Sequence, residues 1–157
     1  KVSGTLKLEL AQYRSLEAFA MFASDLDAAS RRQLARGARL TELLRQPQYS
    51  PFPVEKQVVS IWAGTNGKLD EVPVEDVLRF ESELHDYLAR NTKVLDTLRE
   101  TNVLDDDTTQ ALDAAVEKFK LEFQTGDGKS LSGPGSEKFE QIEAEDINQE
   151  KIVKGKR

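Results

Sequence analysis

Hydrophobic positions recur at helical spacing along most of the chain up to about residue 124. The one strand-like alternation, from Thr5 to Leu10, passes at once into helix-forming residues. A long helix is predicted to begin at Asp25 or Asp27, since aspartate is a favoured N-cap, and to run to about Arg45. This helix should bury one face and expose an arginine stripe on the other. The buried face holds Leu34, Gly37, Ala38, Leu40, Thr41 and Leu44, and the stripe holds Arg32, Arg36 and Arg39.

Glycine within that apolar face is unfavourable for a helix by about 1 kcal/mol relative to alanine. A close approach of a second helix at Gly37 is therefore expected, because only there does a missing side chain offer a compensating advantage.

Proline, asparagine-glycine and aspartate mark the boundaries of the later helices. Pro53 suits the first position of a helix that Asn66-Gly67 ends, and Pro73 opens the next one. Asp105 to Thr108 should cap the last helix. The expected buried positions are Val77, Phe80, Leu84, Tyr87, Leu88, Val94, Leu95, Leu98, Leu112, Val116, Phe119 and Phe123. Since the connections are short, the predicted fold is all-α, a compact bundle of about six helices over residues 1–124.

Composition changes after Gln124. Residues 125–135 are rich in glycine, residues 137–150 are acidic, and residues 151–157 are basic. Such a segment buries too little apolar area to order itself alone. Residues 125–157 are therefore predicted to be a flexible charged extension that starts with a linker.

The bulk numbers exclude several classes of protein. A length of 157 residues suits one domain with a tail. The net charge of −6 argues against nucleic-acid binding, which needs a basic face. No apolar run approaches the roughly 20 residues needed to cross a bilayer, so direct membrane insertion is not expected. The chain begins with Lys1 instead of Met, which suggests a fragment or a trimmed chain.

Few residues offer catalytic chemistry. His85 is the only histidine and is interpreted as a solvated or hydrogen-bonded surface residue. No serine or cysteine is predicted to form a nucleophile–base pair with it. The acidic clusters at Asp25/Asp27 and Asp105–Asp107 stand where helix caps belong, so metal binding is not expected. Gly128-Lys129-Ser130 imitates the end of a phosphate-binding loop but lacks its first glycine and its preceding strand.

The segment from Gln46 to Pro53 contains three prolines in eight residues. Prolines fix φ and make a loop stiff, so it loses less entropy when a ligand docks. Gln46 and Gln48 flank one proline and could read the edge of a flat heterocycle, whereas a plain helix connector with solvated glutamines remains the alternative. Two neutral amide hydrogen bonds contribute about 0.5–1.5 kcal/mol each, whereas micromolar binding needs about 8 kcal/mol. Any phosphate-binding residues would therefore have to come from elsewhere.

Four blocks in order carry a resemblance to a known family: Gly4–Arg14, Phe22–Ala29, Arg36–Leu44 and Val54–Gly67. From Lys1 to roughly Gln124 the chain resembles the C-terminal helical domain of the α subunit of F-type ATP synthases. The resemblance implies that Gln46 and Gln48, and more loosely Pro47, line the adenine pocket of a non-catalytic nucleotide site. ATP or ADP with Mg²⁺ would bind there, with the phosphate and Mg²⁺ ligands supplied by polypeptide outside this chain.

The resemblance also implies an assembly. Family members join three α and three β subunits around a central stalk, the γ subunit, in a proton-translocating ATP synthase. The β subunits perform the chemistry, and no catalytic residue is assigned to this chain. A peripheral position at the cytoplasmic face of the bacterial plasma membrane would follow. A free-standing helical interaction module that regulates a partner is the alternative.

The charged extension resembles that of actinobacterial α subunits, where it is associated with restraint of ATP hydrolysis. It leads to the hypothesis that basic residues of the tail bind an acidic part of the central stalk or of a β subunit. These residues are Lys151, Lys154, Lys156 and Arg157. An idle solubilising tail is the alternative. Lys68 is a second departure, since relatives often carry tyrosine at that position.

Overall fold

A computed structural model of the protein describes residues 2–21, 26–45 and 51–131. These residues form six α-helices and one short 3-10 helix. The helices are α1 (Leu6–Ala20), α2 (Ala28–Leu43), α3 (Val54–Thr65), α4 (Val77–Asn91), α5 (Val94–Thr101) and α6 (Asp106–Glu122), and the 3-10 helix is Val74–Asp76. The described part contains no strand beyond an isolated bridge between Gln124 and Ser130. The all-α prediction is confirmed, and the alternating stretch from Thr5 to Leu10 lies mostly within α1.

Two predicted N-caps are confirmed. The Asp27 carboxylate accepts a hydrogen bond from Ser30 N at 2.7 Å, and the Asp105 carboxylate accepts one from Thr108 N at 2.8 Å. Each bond satisfies a backbone N–H that has no partner within the first helical turn. Pro53 lies one position earlier than predicted and is the N-cap of α3.

The predicted end of α3 is confirmed at Asn66. Gly67 has φ of +73°, and Lys68 N donates to Ala63 O at 2.9 Å, which turns the chain back along the helix. Lys68 Nζ lies 2.8 Å from Glu117 Oε1 of α6 and 5.9 Å from the centre of the Trp62 ring of α3. Lys68, at the position where relatives often carry tyrosine, thus links the end of α3 to α6.

The hydrophobic core is built around α4. Most of the predicted core positions are buried: Val77, Phe80, Leu84, Leu88, Val94, Leu95, Leu98, Leu112, Val116, Phe119 and Phe123. Tyr87 is partly buried and packs against this cluster. Phe80 contacts Phe119 and Phe123 edge to face, with 5.1 Å between ring centroids in both pairs. This aromatic group fixes α6 against α4.

The helices α2 and α3 approach closely at Gly64. A Cβ there would lie 2.6 Å from Leu40 Cδ2 and 3.0 Å from Leu43 Cδ2, so a larger residue would push the helices apart. Leu43 is therefore buried, whereas Leu44, which was predicted on the buried face, is 43% exposed. The prediction for Leu44 is wrong because helical periodicity does not reveal from which side the neighbouring helix packs.

The chain continues to pack against the bundle after α6. Gly126 N donates to Asp76 Oδ2 at 2.8 Å, and Arg79 Nη2 donates to Gln124 O at 2.7 Å. Leu131 is only 5% exposed and belongs to the core. Burial alone would raise the pKa of Asp76, but hydrogen bonds from Gly126 and Arg79 outweigh it and hold that pKa below its usual value.

This C-terminal turn, residues 124–131, contradicts the prediction of a flexible linker from residue 125 as far as residue 131. Its polar groups are satisfied locally, since Thr125 N donates to Lys129 O and Gly128 N donates to Thr125 O, both at 2.8 Å. The sequence signal was misleading because glycine serves tight turns as well as linkers. The division of the chain at Gln124 stays a prediction, because residues 132–157 lie outside the described part.

The close approach predicted at Gly37 is confirmed, and it suggests a stability test. A Cβ at this position would overlap Cβ, Cγ and Cδ2 of Tyr13 on α1. Gly37→Ala should therefore destabilise the protein by about 1–3 kcal/mol through overpacking, although alanine favours a helix. The change in free energy of unfolding can be measured by urea denaturation.

The Tyr13→Gly background provides the matched control, because removing Cβ together with the ring opens the space that the new methyl group needs. In that background Gly37→Ala should be neutral or stabilising. A stabilising effect of Gly37→Ala in the unmodified chain would contradict the close contact.

Candidate functional site

The predicted adenine-contacting residues Gln46, Pro47 and Gln48 lie outside the described residues. The structure does describe both sides of their segment. On one side α2 ends at Leu43, and Arg45 Nη1 forms an ion pair with Glu42 at 2.9 Å. On the other side the chain re-enters the described part at Pro51 and enters α3 at Val54.

Phe52 is held from two directions. Its carbonyl oxygen accepts a hydrogen bond from Gln57 Nε2 at 2.6 Å. Its ring contacts the ring of His85 edge to face, with 5.3 Å between centroids and 79° between planes. Phe52, which lies shortly after the segment that contains Gln46 and Gln48, is thus fixed to both α3 and α4.

His85 belongs to a buried polar cluster with Ser60 of α3 and Glu81 of α4. Ser60 Oγ lies 3.0 Å from His85 Nε2 and 2.5 Å from Glu81 Oε1. All three residues are buried, and His85 is only 1% exposed. The interpretation of His85 as a surface residue is wrong: Glu81 and His85, one helical turn apart, face α3 and not the solvent.

One arrangement of protons accounts for both hydrogen bonds of Ser60. A neutral His85 carrying its proton on Nε2 donates to Ser60 Oγ, and the Ser60 hydroxyl in turn donates to the Glu81 carboxylate. His85 Nδ1 is then an acceptor, and it makes no hydrogen bond of good geometry within the described part of the protein. The backbone of Lys56 also interacts with the His85 ring, in the direction that raises the pKa of His85.

The cluster contains a serine–histidine pair that sequence reasoning did not predict, yet its order differs from that of a hydrolase. In a catalytic triad the carboxylate orients the histidine and the histidine activates the serine. Here Ser60 stands in the middle, and Glu81 contacts the serine. Because Ser60 is also buried, this arrangement fits helix packing and not attack on a substrate.

The pKa values of the cluster follow from its burial. Burial lowers the pKa of His85 to about 4, and the positive charge of Lys56 acts in the same direction. Burial also raises the pKa of Glu81, which the hydrogen bond from Ser60 partly offsets. His85 is therefore neutral at physiological pH.

The arginine stripe of α2 is not a uniformly solvated face. Arg32 is exposed and Arg36 pairs with Asp70, where Nε lies 3.0 Å from Oδ1. Arg39 is only 5% exposed and donates to Val72 O at 2.6 Å. Burial lowers the pKa of Arg39, although the charge of Asp70 acts in the opposite direction. The interpretation of a solvated stripe is wrong because the connection after α3 folds over α2 and covers its middle.

The remaining predictions concern a metal site, the basic tail residues and a membrane span. Within the described ranges no set of three or more histidine, cysteine or acidic residues is arranged to hold a metal ion. The predicted tail contacts Lys151, Lys154, Lys156 and Arg157 lie outside those ranges. None of the described helices is both long enough and apolar enough to cross a membrane.

Sequence reasoning missed the link from Phe52 to His85 and Ser60. A signal for half of it was present, since Glu81 and His85 are spaced i, i+4 beside the apolar stripe of α4. The partner on α3 could not be found this way, because Ser60 lies 25 residues from His85 in sequence.

The described residues form six helices with a core built around α4 and a proline-rich connection between α2 and α3, which defines the class of protein as a small all-α domain. Residues 1–119 match the family model described as ATP synthase alpha/beta chain, C terminal domain. The match covers well over half of the chain, and the chain belongs to this family.

Individual relatives agree with the family match. The chain is 79% identical to ATP synthase subunit alpha of Clavibacter michiganensis subsp. michiganensis, 78% to that of Leifsonia xyli subsp. xyli and 64% to that of Paenarthrobacter aurescens. Each match includes the whole of this chain and only 29% of the relative. The chain therefore spans less than a third of the length of these relatives. The relatives are actinobacterial α subunits, which confirms the resemblance drawn from the sequence.

The low pKa of His85 predicts a pH dependence of stability. Its folded pKa of about 4 lies below the ordinary value of 6.5, so the unfolded chain binds more protons between these values. The contribution of His85 is present above pH 6.5 and is lost as the pH falls towards 4, with an upper limit of about 3 kcal/mol. Urea denaturation across this range should show a steeper loss of stability for the unmodified protein than for His85→Gln.

Glutamine is the matched replacement because its amide can still donate to Ser60 but cannot take up a proton in this range. The raised pKa of Glu81 contributes with the opposite sign in both proteins and largely cancels in their difference. Parallel curves for the two proteins would contradict the burial of a neutral His85.

Proposed function

We propose that this chain is the C-terminal helical domain of a non-catalytic, nucleotide-binding α subunit in the head of a proton-translocating F-type ATP synthase. The observation that carries the proposal is the 79% identity over all 157 residues to a protein named ATP synthase subunit alpha. The family match over residues 1–119 supports it independently. The domain supplies binding and subunit contacts, while the chemistry of the complex occurs elsewhere.

Gln46 and Gln48, with Pro47 between them, provide the adenine-side contacts of the non-catalytic site. The described structure supports this role through Phe52, which follows their segment and is held by Gln57 and His85. A neutral amide pair can select a base but cannot hold a nucleotide, so ATP or ADP also needs phosphate and Mg²⁺ ligands from outside this chain. The site is therefore composite.

The partners in this proposal are the β subunits and the central-stalk γ subunit. Large apolar side chains on α1 remain exposed in the isolated domain, including Leu8 at 59% and Phe19 at 60%. Exposed apolar residues of this kind suit contact with further polypeptide. The assembled head would be peripheral, at the cytoplasmic face of the bacterial plasma membrane.

The basic end of the tail restrains ATP hydrolysis in this proposal, through Lys151, Lys154, Lys156 and Arg157. The C-terminal turn supports a later start for the tail than residue 125. Residues 125–131 pack on the bundle through Asp76 and Leu131, so the proposed tail starts no earlier than residue 132.

The adenine role is tested by Gln46→Ala and Gln48→Ala in the intact subunit within the assembled head. Each change removes about 0.5–1.5 kcal/mol of hydrogen bonding, which corresponds to about 2- to 10-fold in affinity. The preference for ADP over GDP at the non-catalytic sites should fall by that factor for each variant. Equilibrium binding of the two nucleotides measures it.

Ser82→Ala is the control, because Ser82 lies on the exposed face of α4. It should leave both affinities unchanged. If the two glutamine variants keep the full preference for ADP, the adenine role is wrong.

The tail proposal is tested by removing residues 132–157 from the subunit in the assembled enzyme. Deletion should raise the rate of ATP hydrolysis, because the electrostatic restraint on the stalk or β subunit is lost. Replacing the four basic residues by glutamine should give the same increase and should make the rate insensitive to added salt. Unchanged hydrolysis in both variants would refute the restraint.

A further inference from the structure

The side chains of Ser60, Glu81 and His85 form a chain of two hydrogen bonds that can run in either direction. Ser60 Oγ lies 2.5 Å from Glu81 Oε1 and 3.0 Å from His85 Nε2. A serine hydroxyl carries a single proton, so Ser60 donates to one of these neighbours and accepts from the other. The direction of the chain therefore depends on where Glu81 and His85 hold their protons.

In the first direction the chain starts at His85. Its Nε2–H donates to Ser60, and the Ser60 hydroxyl donates to an ionised Glu81. Glu81 is only 5% exposed, and burying an ionised carboxylate is unfavourable. In this form His85 Nδ1 is an acceptor that receives no hydrogen bond of good geometry from the described residues.

In the second direction the chain starts at Glu81. A protonated Glu81 donates to Ser60, the Ser60 hydroxyl donates to Nε2, and His85 carries its proton on Nδ1. Both hydrogen bonds are kept and the buried charge is removed. The backbone of Lys56 favours this form, since it raises the pKa of His85 as a carbonyl oxygen does when it accepts from the ring. Because Nε2 is bonded to Ser60, Nδ1 is the nitrogen left for this acceptor.

The charged surroundings do not hold the cluster in the first form. Burial lowers the pKa of His85, the charge of Lys56 from α3 acts in the same direction, and Asp86 of α4 opposes them. Burial raises the pKa of Glu81, and only the hydrogen bond from Ser60 opposes it. Glu81 takes part in none of the ion pairs among the described residues, so its ionised form has little to stabilise it there.

We infer that Ser60, Glu81 and His85 form a proton relay with two states, in which the uptake of one proton reverses both hydrogen bonds and moves the ring proton of His85 from Nε2 to Nδ1. A proton from water binds to Nδ1. The Nε2–H bond breaks as Ser60 Oγ takes up that proton, and the original Ser60 O–H bond breaks as its proton passes to Glu81. One proton enters, and Glu81 loses its negative charge.

The relay gives a reason for polar groups at this helix contact. Ser60 of α3 stays bonded to both residues of α4 in either state, so a change in protonation does not separate the two helices. An isolated buried carboxylate would instead lose or gain its partner as it titrates. This inference does not depend on the proposed nucleotide role.

The test follows the ring nitrogens of His85 by nitrogen-15 NMR in this chain of 157 residues, which contains no other histidine. Titration from about pH 5 to about pH 9 covers the range in which a buried glutamic acid can ionise. As the pH falls, Nδ1 should change from the chemical shift of a bare ring nitrogen to that of a protonated one, and Nε2 should change in the opposite direction. The carbon-13 shift of the Glu81 carboxyl group should change with the same midpoint.

Two variants interrupt the relay. Ser60→Ala removes the hydroxyl between the two titrating groups, so Glu81 should still titrate while His85 keeps one tautomer. Glu81→Gln removes the group that stores the proton, so the tautomer should stay constant over this pH range. Glu83→Gln is the matched control, because it removes a carboxylate from the exposed side of the same helix, and it should leave the change of tautomer intact.

Three outcomes would overturn the inference. If His85 keeps one tautomer while Glu81 titrates, the two groups are not coupled. If both ring nitrogens carry a proton at the midpoint of the Glu81 titration, the proton stays on the imidazole and is not passed on. If the tautomer still changes with pH in Ser60→Ala or in Glu81→Gln, the change does not run through this hydrogen-bonded chain.

Discussion

The close approach of α2 and α3 at Gly64 is the contact on which the rest of the structure depends. Leu40 and Leu43 occupy the space that a side chain at this position would need, and α3 then presents Ser60 to α4. Both ends of the proline-rich connection are set by this approach, since α2 leads into it and α3 follows it. The nucleotide contact that we propose for this connection would depend on the positions of these two helices, because they limit where the chain between them can go.

Sequence periodicity predicted what depends on a single helix. The caps at Asp27 and Asp105, the buried stripe of α4 and the apolar positions of α6 all lie where the pattern places them. Local chemistry determines these features, since a cap needs only its own first turn and a stripe needs only a period of 3.6 residues. The family resemblance added the likeness to an ATP synthase α subunit, which the hydrophobic pattern alone does not provide.

What the sequence did not predict depends on contacts between distant segments. Arg39 is polar and was placed in solvent, but the connection after α3 covers it and Val72 supplies a carbonyl acceptor. His85 was placed on the surface because nothing along the chain indicates that Ser60 lies opposite. The cost of burying a polar group is decided by its partner, and a one-dimensional pattern does not contain that partner. The predicted adenine and tail residues lie outside the described structure and stay proposals.

The C-terminal turn, residues 124–131, offers a site at which a fluorophore can be attached rigidly to this domain. Asp76 and Arg79 tie residues 124–126 to the start of α4, and Leu131 closes the turn on the core. Asp127 lies exposed within that turn, and these 157 residues contain no cysteine. A thiol introduced by Asp127→Cys would give a fluorophore a single attachment point within this domain. Its orientation would follow the bundle, which suits fluorescence polarisation measurements of how this domain rotates.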